Sequence, residues 1–74
     1  MNRPLLGLIV AALVALLMGQ VLDAVGALGR ATAGEVAKHA ALPNGSVSVT
    51  LRALVARGRV VRTETARGAE HSLP

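Results

Sequence analysis

The fold is decided by Thr32–Arg62, TAGEVAKHAALPNGSVSVTLRALVARGRVVR. Thr32-Ala33-Gly34-Glu35 has the spacing of a capping box, in which the threonine hydroxyl accepts from the backbone N–H three residues on and Glu35 folds back. Val36, Ala37, Ala40 and Ala41 then line one face of a short helix. That helix is expected to end at Leu42-Pro43-Asn44-Gly45, because Pro43 biases Leu42 away from helical torsions and Asn-Gly is a strong turn pair. Ser46 is the expected cap of the next helix, with Val47, Leu51, Leu54 and Val55 inward and Gly58 as its stop. Beyond Gly58, Arg59–Thr65 and Glu70–Pro74 read as two short strands. A two-residue loop centred on Arg67-Gly68 pairs Thr65 with Glu70, Thr63 with Ser72 and Arg62 with Leu73. Upstream, Val21, Leu22, Val25 and Leu28 have helical spacing, ended by Gly29-Arg30.

Three groups of residues carry a family likeness: Thr32-x-x-Glu35-Val36-Ala37, then Val47-x3-Leu51-x2-Leu54-x3-Gly58-x-Val60-x-Arg62, then His71-Ser72-Leu73-Pro74. In this order, over about Gln20–Pro74, they resemble the winged helix-turn-helix domain of bacterial and phage transcription regulators. The sequence departs from the simplest pattern in two places. The turn Pro43-Asn44-Gly45-Ser46 is longer, and Ala41 stands where a turn glycine is common. The resemblance implies a mostly α fold with a small β-hairpin, a double-stranded DNA partner and no cofactor.

The residues point the same way. With Val47, Leu51, Leu54 and Val55 inward, the third helix exposes Ser48, Val49, Arg52, Ala53 and Ala56, with Ser46 and Thr50 at its edges. Short side chains and one arginine near a helix N-terminus suit a major groove, which bulkier groups would hold off. The Ser and Thr hydroxyls can bond phosphate or base edges, Val49 can meet a thymine methyl, and Arg52 can reach guanine or phosphate. Arg57, Arg59, Arg62 and Arg67 extend a positive surface to the hairpin tip.

Charge divides the chain. Arg3 and Asp23 cancel before residue 30, so the net +4 of the whole chain comes from seven Arg/Lys and three Glu in the rear. The front holds Pro4–Leu22, PLLGLIVAALVALLMGQVL, with no formal charge and no polar face. Such a helix is apolar on all sides, as in a membrane span or the centre of an oligomer. A cleaved leader ending near Val25-Gly26-Ala27 is a further reading, opposed by Asp23 in its final segment. Gly7, Ala11, Ala15 and Gly19 recur every four residues, a small-residue stripe along which two helices can associate. The expected organisation is a hydrophobic helix over 1–22 and a winged domain over 20–74. The rear is placed in the cytoplasm, held at the inner membrane through residues 4–22, or in a soluble cytoplasmic oligomer. Arg3 with the terminal amine before the span and Arg30 with Lys38 after it leave its orientation open.

Several classes are excluded or left without support. With 53% hydrophobic residues the chain has ample apolar surface for a folded core, and with no cysteine it has no disulfide frame or thiolate metal site. His39 and His71 lack partner ligands at metal spacing, and no serine has a base and orienter, so an enzyme is not expected. Asn44-Gly45-Ser46 formally matches a glycosylation acceptor but is explained as a turn. Two other functions stay open. One is a structural membrane or virion protein whose basic half contacts nucleic acid or acidic lipid without reading sequence. The other is a winged fold that binds only protein.

Overall fold

The apolar run does not stop where the small domain begins. In the computed structural model, which describes residues 3–74 and the side chains from Pro4 onward, α1 runs unbroken over Arg3–Leu28. The tail Met1-Asn2 and the Arg3 side chain, which enter the charge balance across the span, lie outside the described residues. Val21, Ala24 and Val25 of this helix are buried, whereas every residue from Pro4 to Leu16 is exposed. One helix therefore serves as a wall of the core at one end and stands free at the other.

The remaining elements are β1 (Arg30–Thr32), α2 (Ala33–Ala40), α3 (Asn44–Ala56), β2 (Val61–Thr65) and β3 (Gly68–Ser72). The three strands form an antiparallel sheet in the order β1-β3-β2. The core joins Val21, Ala24 and Val25 to Ala31, Val36, Ala37, Val47, Leu51, Leu54 and Val60. All are aliphatic and most are small, so the helices pack through short side chains. Each fully buried Val or Leu contributes about 1.5–3 kcal/mol of transfer free energy. The helix-turn-helix with a hairpin wing expected from the sequence is thus the fold present, preceded by a long apolar helix.

Local chemistry explains each boundary, and several differ from expectation. The Thr32–Glu35 capping box is formed: Thr32 N–H donates to Glu35 Oε1 at 3.0 Å and Glu35 N–H donates to Thr32 Oγ1 at 3.3 Å. Ala41, expected on the inward face of α2, lies beyond the helix and is exposed, with φ 56°. There the N–H of Leu42 reaches Ala37 O at 3.0 Å and that of Ala41 reaches Lys38 O at 3.3 Å. This is the Schellman pattern, whose left-handed residue is usually glycine. Helix α3 ends in the same way: Arg59 N–H reaches Leu54 O at 2.9 Å, Gly58 N–H reaches Val55 O at 3.0 Å, and Gly58 takes φ 72°.

Ser46 is not the cap of α3. The helix starts at Asn44 behind Pro43, whose carbonyl accepts from Val47 N–H at 3.1 Å, so Asn44 and Gly45 form its first turn. Only Ala41, Leu42 and Pro43 separate α2 from α3, a short turn rather than a lengthened one. Proline's fixed φ suits a helix entrance, and this outweighs the Asn-Gly turn preference.

The hairpin register is also shifted. Thr65 pairs with Gly68, Thr63 with Glu70 and Arg62 with His71, each partner two residues earlier than expected. The loop is Ala66-Arg67, and Gly68 follows it at φ 105°, so the glycine turns the chain after the loop rather than within it. Thr65 Oγ1 fastens this turn, accepting from Arg67 N–H at 3.2 Å and donating to Gly68 O at 2.9 Å. A shift of two keeps every side chain on its expected face. The strand β1 has no counterpart in the sequence reading, which placed a break there.

Two expectations follow. Ala41→Gly relieves the left-handed strain and should raise stability by about 0.5–1 kcal/mol, read from denaturant unfolding. His71, buried in the central strand, is pushed below its ordinary value of 6.5 mainly by that burial, with Arg62 adding to the shift and the Ala31 carbonyl opposing it. The fold favours the neutral ring, so its contribution is present above pH 6.5 and is lost as pH falls through the lowered value. The melting temperature should fall on acidification below pH 6.5, and His71→Gln should flatten that first decline.

Candidate nucleic-acid interface

Two flanks, not one face, are presented by α3. Val47, Thr50, Leu51 and Leu54 anchor the helix to the core. On one side of them, Ser48 and Arg52 project into a groove of about 250 Å³ between α3 and the hairpin, bordered across by Arg62, Ala69 and His71. On the other side, Ser46, Val49 and Ala53 line a second groove of about 440 Å³ against Val14, Leu17 and Met18 of α1. Spacing of four residues explains the split: Ser48 and Arg52 share one flank, Val49 and Ala53 the next.

The sequence-derived contact residues divide accordingly. Ser48, Val49 and Arg52 are exposed, with Val49 at 64%, while Ser46 is half-buried. Thr50, expected at the edge of the exposed face, is instead buried at 8% exposure, and its hydroxyl donates to Ser46 O at 2.7 Å. A hydroxyl bonded to its own helix in this way is turned from solvent. Gly45 and Ala53 line the second groove as well, though the sequence pointed to neither as a contact. Spacing from Val49 was the signal for Ala53; Gly45 was hidden by its reading as a turn. Gly7, Ala11, Ala15 and Gly19 are all exposed on α1.

Acidic residues determine where the positive charge is free. Glu35 Oε1 lies 2.8 Å from Arg67 Nη2, and Glu70 lies 3.6 Å from Arg67 Nη1 and 3.7 Å from Arg30 Nε. Glu64 meets Arg62 at 2.9 Å. Glu35 is held below the ordinary 4.5 by the Thr32 N–H first and by Arg67 next, and the same pair raises the Arg67 guanidinium. All three rear carboxylates therefore face hairpin or β1 arginines. Among the described residues, Lys38, Arg52, Arg57 and Arg59 have no carboxylate within salt-bridge distance. Apart from Lys38 on α2, the unpaired charge gathers on α3 and the turn after it, rather than at the hairpin tip. Arg57 rests its Nη1 3.8 Å from Met18 Sδ on α1, and Arg59 follows Gly58 into solvent.

Such an arrangement can hold a polyanion. The wing is fastened to α2 through Arg67 and Glu35, Arg52 projects beside a serine hydroxyl, and Arg57 and Arg59 extend the positive surface. Among the described residues, no three His, Asp or Glu side chains gather where a metal ion could be held.

Residues 19–64 match the family model described as the IclR helix-turn-helix domain. The matched span is more than half of the chain. It runs from the part of α1 that enters the core through α3 and into β2, leaving β3 beyond it. No curated protein matches the chain.

The Arg67 clamp has a direct test. Arg67→Ala and Glu35→Gln should each quicken amide hydrogen exchange across the hairpin while leaving α3 protection unchanged. The double variant should add little to Arg67→Ala alone, which already removes the Glu35 contact together with that to Glu70.

Proposed function

The chain belongs to the IclR helix-turn-helix family, and from that premise we propose a DNA-binding transcription regulator that reads duplex DNA through α3 and is anchored by α1. The observation that carries the reading is the unpaired positive charge of Arg52 on α3 and of Arg57 and Arg59 in the turn after it. Arg52 stands with Ser48 on a flank open to solvent, and Arg57 and Arg59, in the turn after α3, add charge on the side nearer α1, none of the three with a carboxylate partner among the described residues. In this reading Ser48, Val49 and Arg52 meet base edges, while Arg57 and Arg59 meet the phosphate backbone and Arg62, which shares its charge with Glu64, borders the groove. Arg67 orders the wing, and its charge is already balanced by Glu35 and Glu70. Family membership points to a regulator rather than an enzyme.

A bilayer is the proposed surrounding of α1, with the winged domain on the cytoplasmic side. Its most apolar 18 residues have a mean hydropathy of 2.6, and only 6% of them are buried. The second way to remove this surface from water is self-association along Gly7, Ala11, Ala15 and Gly19, all of which are exposed. A chain that needs detergent and stays monomeric in it favours the bilayer, whereas a detergent-free oligomer of fixed size favours the stripe.

Duplex titration at several salt concentrations, with the full chain in detergent and a selected site library, tests the reading of DNA. Arg52→Ala should lose about 1–3 kcal/mol at the preferred site and little elsewhere. Arg59→Ala should weaken all duplexes alike and reduce the salt slope by about one unit. Equal loss on every sequence for both variants would make the surface a non-specific polyanion patch.

A further inference from the structure

The free end of α1 is too short to cross a membrane and leave the winged domain clear of it. A hydrocarbon core of about 30 Å takes about 20 helical residues. Counted from Pro4, beyond the charge of Arg3, that length ends near Asp23, the next formal charge. Yet α1 runs as one uninterrupted helix into the domain with no linker before it, and Val21 is already fully buried in the core. Val14, Leu17 and Met18 lie well inside the required span, and the groove they line has α3 as its other wall. Whatever surrounds these three residues therefore also meets Ser46, Val49 and Ala53.

The chemistry of that α3 flank fits lipid. Ser46, Val49 and Ala53 are uncharged, and Val49 is the most exposed large apolar side chain outside α1 among the described residues. The Thr50 hydroxyl beside them is already satisfied by the Ser46 carbonyl. Arg57, whose guanidinium touches the Met18 sulfur, stands where α1 meets the domain, as an arginine does at anionic headgroups. The charged flank with Ser48 and Arg52 opens on the opposite side, toward the hairpin.

We propose that the Ser46–Val49–Ala53 flank of α3 is a lipid-contacting surface continuous with α1, so that inserting α1 into a bilayer withholds α3 from DNA. The inference rests on reading α1 as a bilayer anchor and α3 as the duplex-reading helix. It makes one helix the contact for two partners that exclude each other, because a duplex seated across α3 would have to occupy the headgroup layer. Membrane insertion then acts as an off state for DNA reading.

The absence of cysteine from the chain makes the test direct. The full chain carrying Val49→Cys or, on the exposed face of β2, Thr63→Cys is labelled with an environment-sensitive fluorophore and placed in nanodiscs of mixed anionic and zwitterionic phospholipid. The Val49 label should become inaccessible to iodide and be quenched by lipid-borne nitroxide, while the Thr63 label stays open to iodide. Equal iodide access at both positions overturns the lipid contact. A chain that fails to co-elute with nanodiscs overturns the anchor and this inference together. A second variant lengthens the span with seven apolar residues between Leu6 and Gly7, about 10 Å of helix, and lifts the domain without touching the groove. It should restore iodide access at the Val49 label and, in the unlabelled chain, duplex binding in nanodiscs. If the unextended chain binds its duplex in nanodiscs as well as the extended chain does, mutual exclusion is wrong. If the extended chain, with its Val49 label open to iodide, still has no duplex binding in unlabelled form, duplex reading fails and the exclusion fails with it, while the labels still decide the lipid contact.

Discussion

Everything in the structure hangs on the continuity of α1. A helix turns sharply only where its hydrogen-bond ladder is interrupted, and the ladder holds from Arg3 to Leu28 through Gly7, Gly19 and Gly26 alike. Val21, Ala24 and Val25 belong to the core, so the orientation of the whole apolar rod is fixed by the packing of a domain it extends beyond. Burying those three residues against α2 and α3 decides which part of α3 faces the rod and which faces the hairpin. A flexible linker after Gly19 would have allowed the two halves to be understood separately. With none present, the surroundings of the apolar end and the accessibility of α3 are one question.

Charge is arranged by the same economy of parts. The rear half has only three carboxylates, and each lies against an arginine of the hairpin or of β1. Glu35 does two things at once, closing the N-terminus of α2 and receiving Arg67 from the wing. Glu70 sits on the outer side of the central strand under two guanidinium groups, while His71, its neighbour, faces the core side. The wing is thereby neutralised and held, and the remaining positive field is left to α3. A count of arginines along the sequence gives the total charge correctly but puts its centre too near the tip.

Legibility followed the range of the interactions. The capping box at Thr32, the stop at Gly58 and the inward set Val47, Leu51 and Leu54 are local patterns, and the structure contains them as read. The start of α3 was misplaced because Asn44-Gly45 carries a turn preference that a helix entrance behind Pro43 overrides. The hairpin slipped by two residues because a glycine can sit within a loop or just after it, and local chemistry at Thr65 makes the choice. Strand β1 was invisible: three residues with one buried alanine give no periodic signal, and only pairing to β3 defines them. In the candidate site, the exposed residues of α3 were mostly foreseen, but their division between two grooves was not. That division comes from α1 and the hairpin standing on opposite sides, which no spacing within α3 reveals. Thr50 turned inward for a similarly local reason, its own helix offering an acceptor.

Thr32 shows how little slack the chain has. It is the last residue of β1, the cap of α2 and a partner of Glu35, with no spacer between strand and helix. Only Gly29 lies between α1 and β1, and three residues lie between α2 and α3. Over evolutionary time such a chain can change its side chains far more freely than its length. One residue added between Arg30 and Glu35 would slide the strand pairing and separate the cap from its helix together. Descendants that differ in length should therefore carry their insertions at Ala66, an exposed connecting residue that belongs to no strand, cap or ion pair described in the fold.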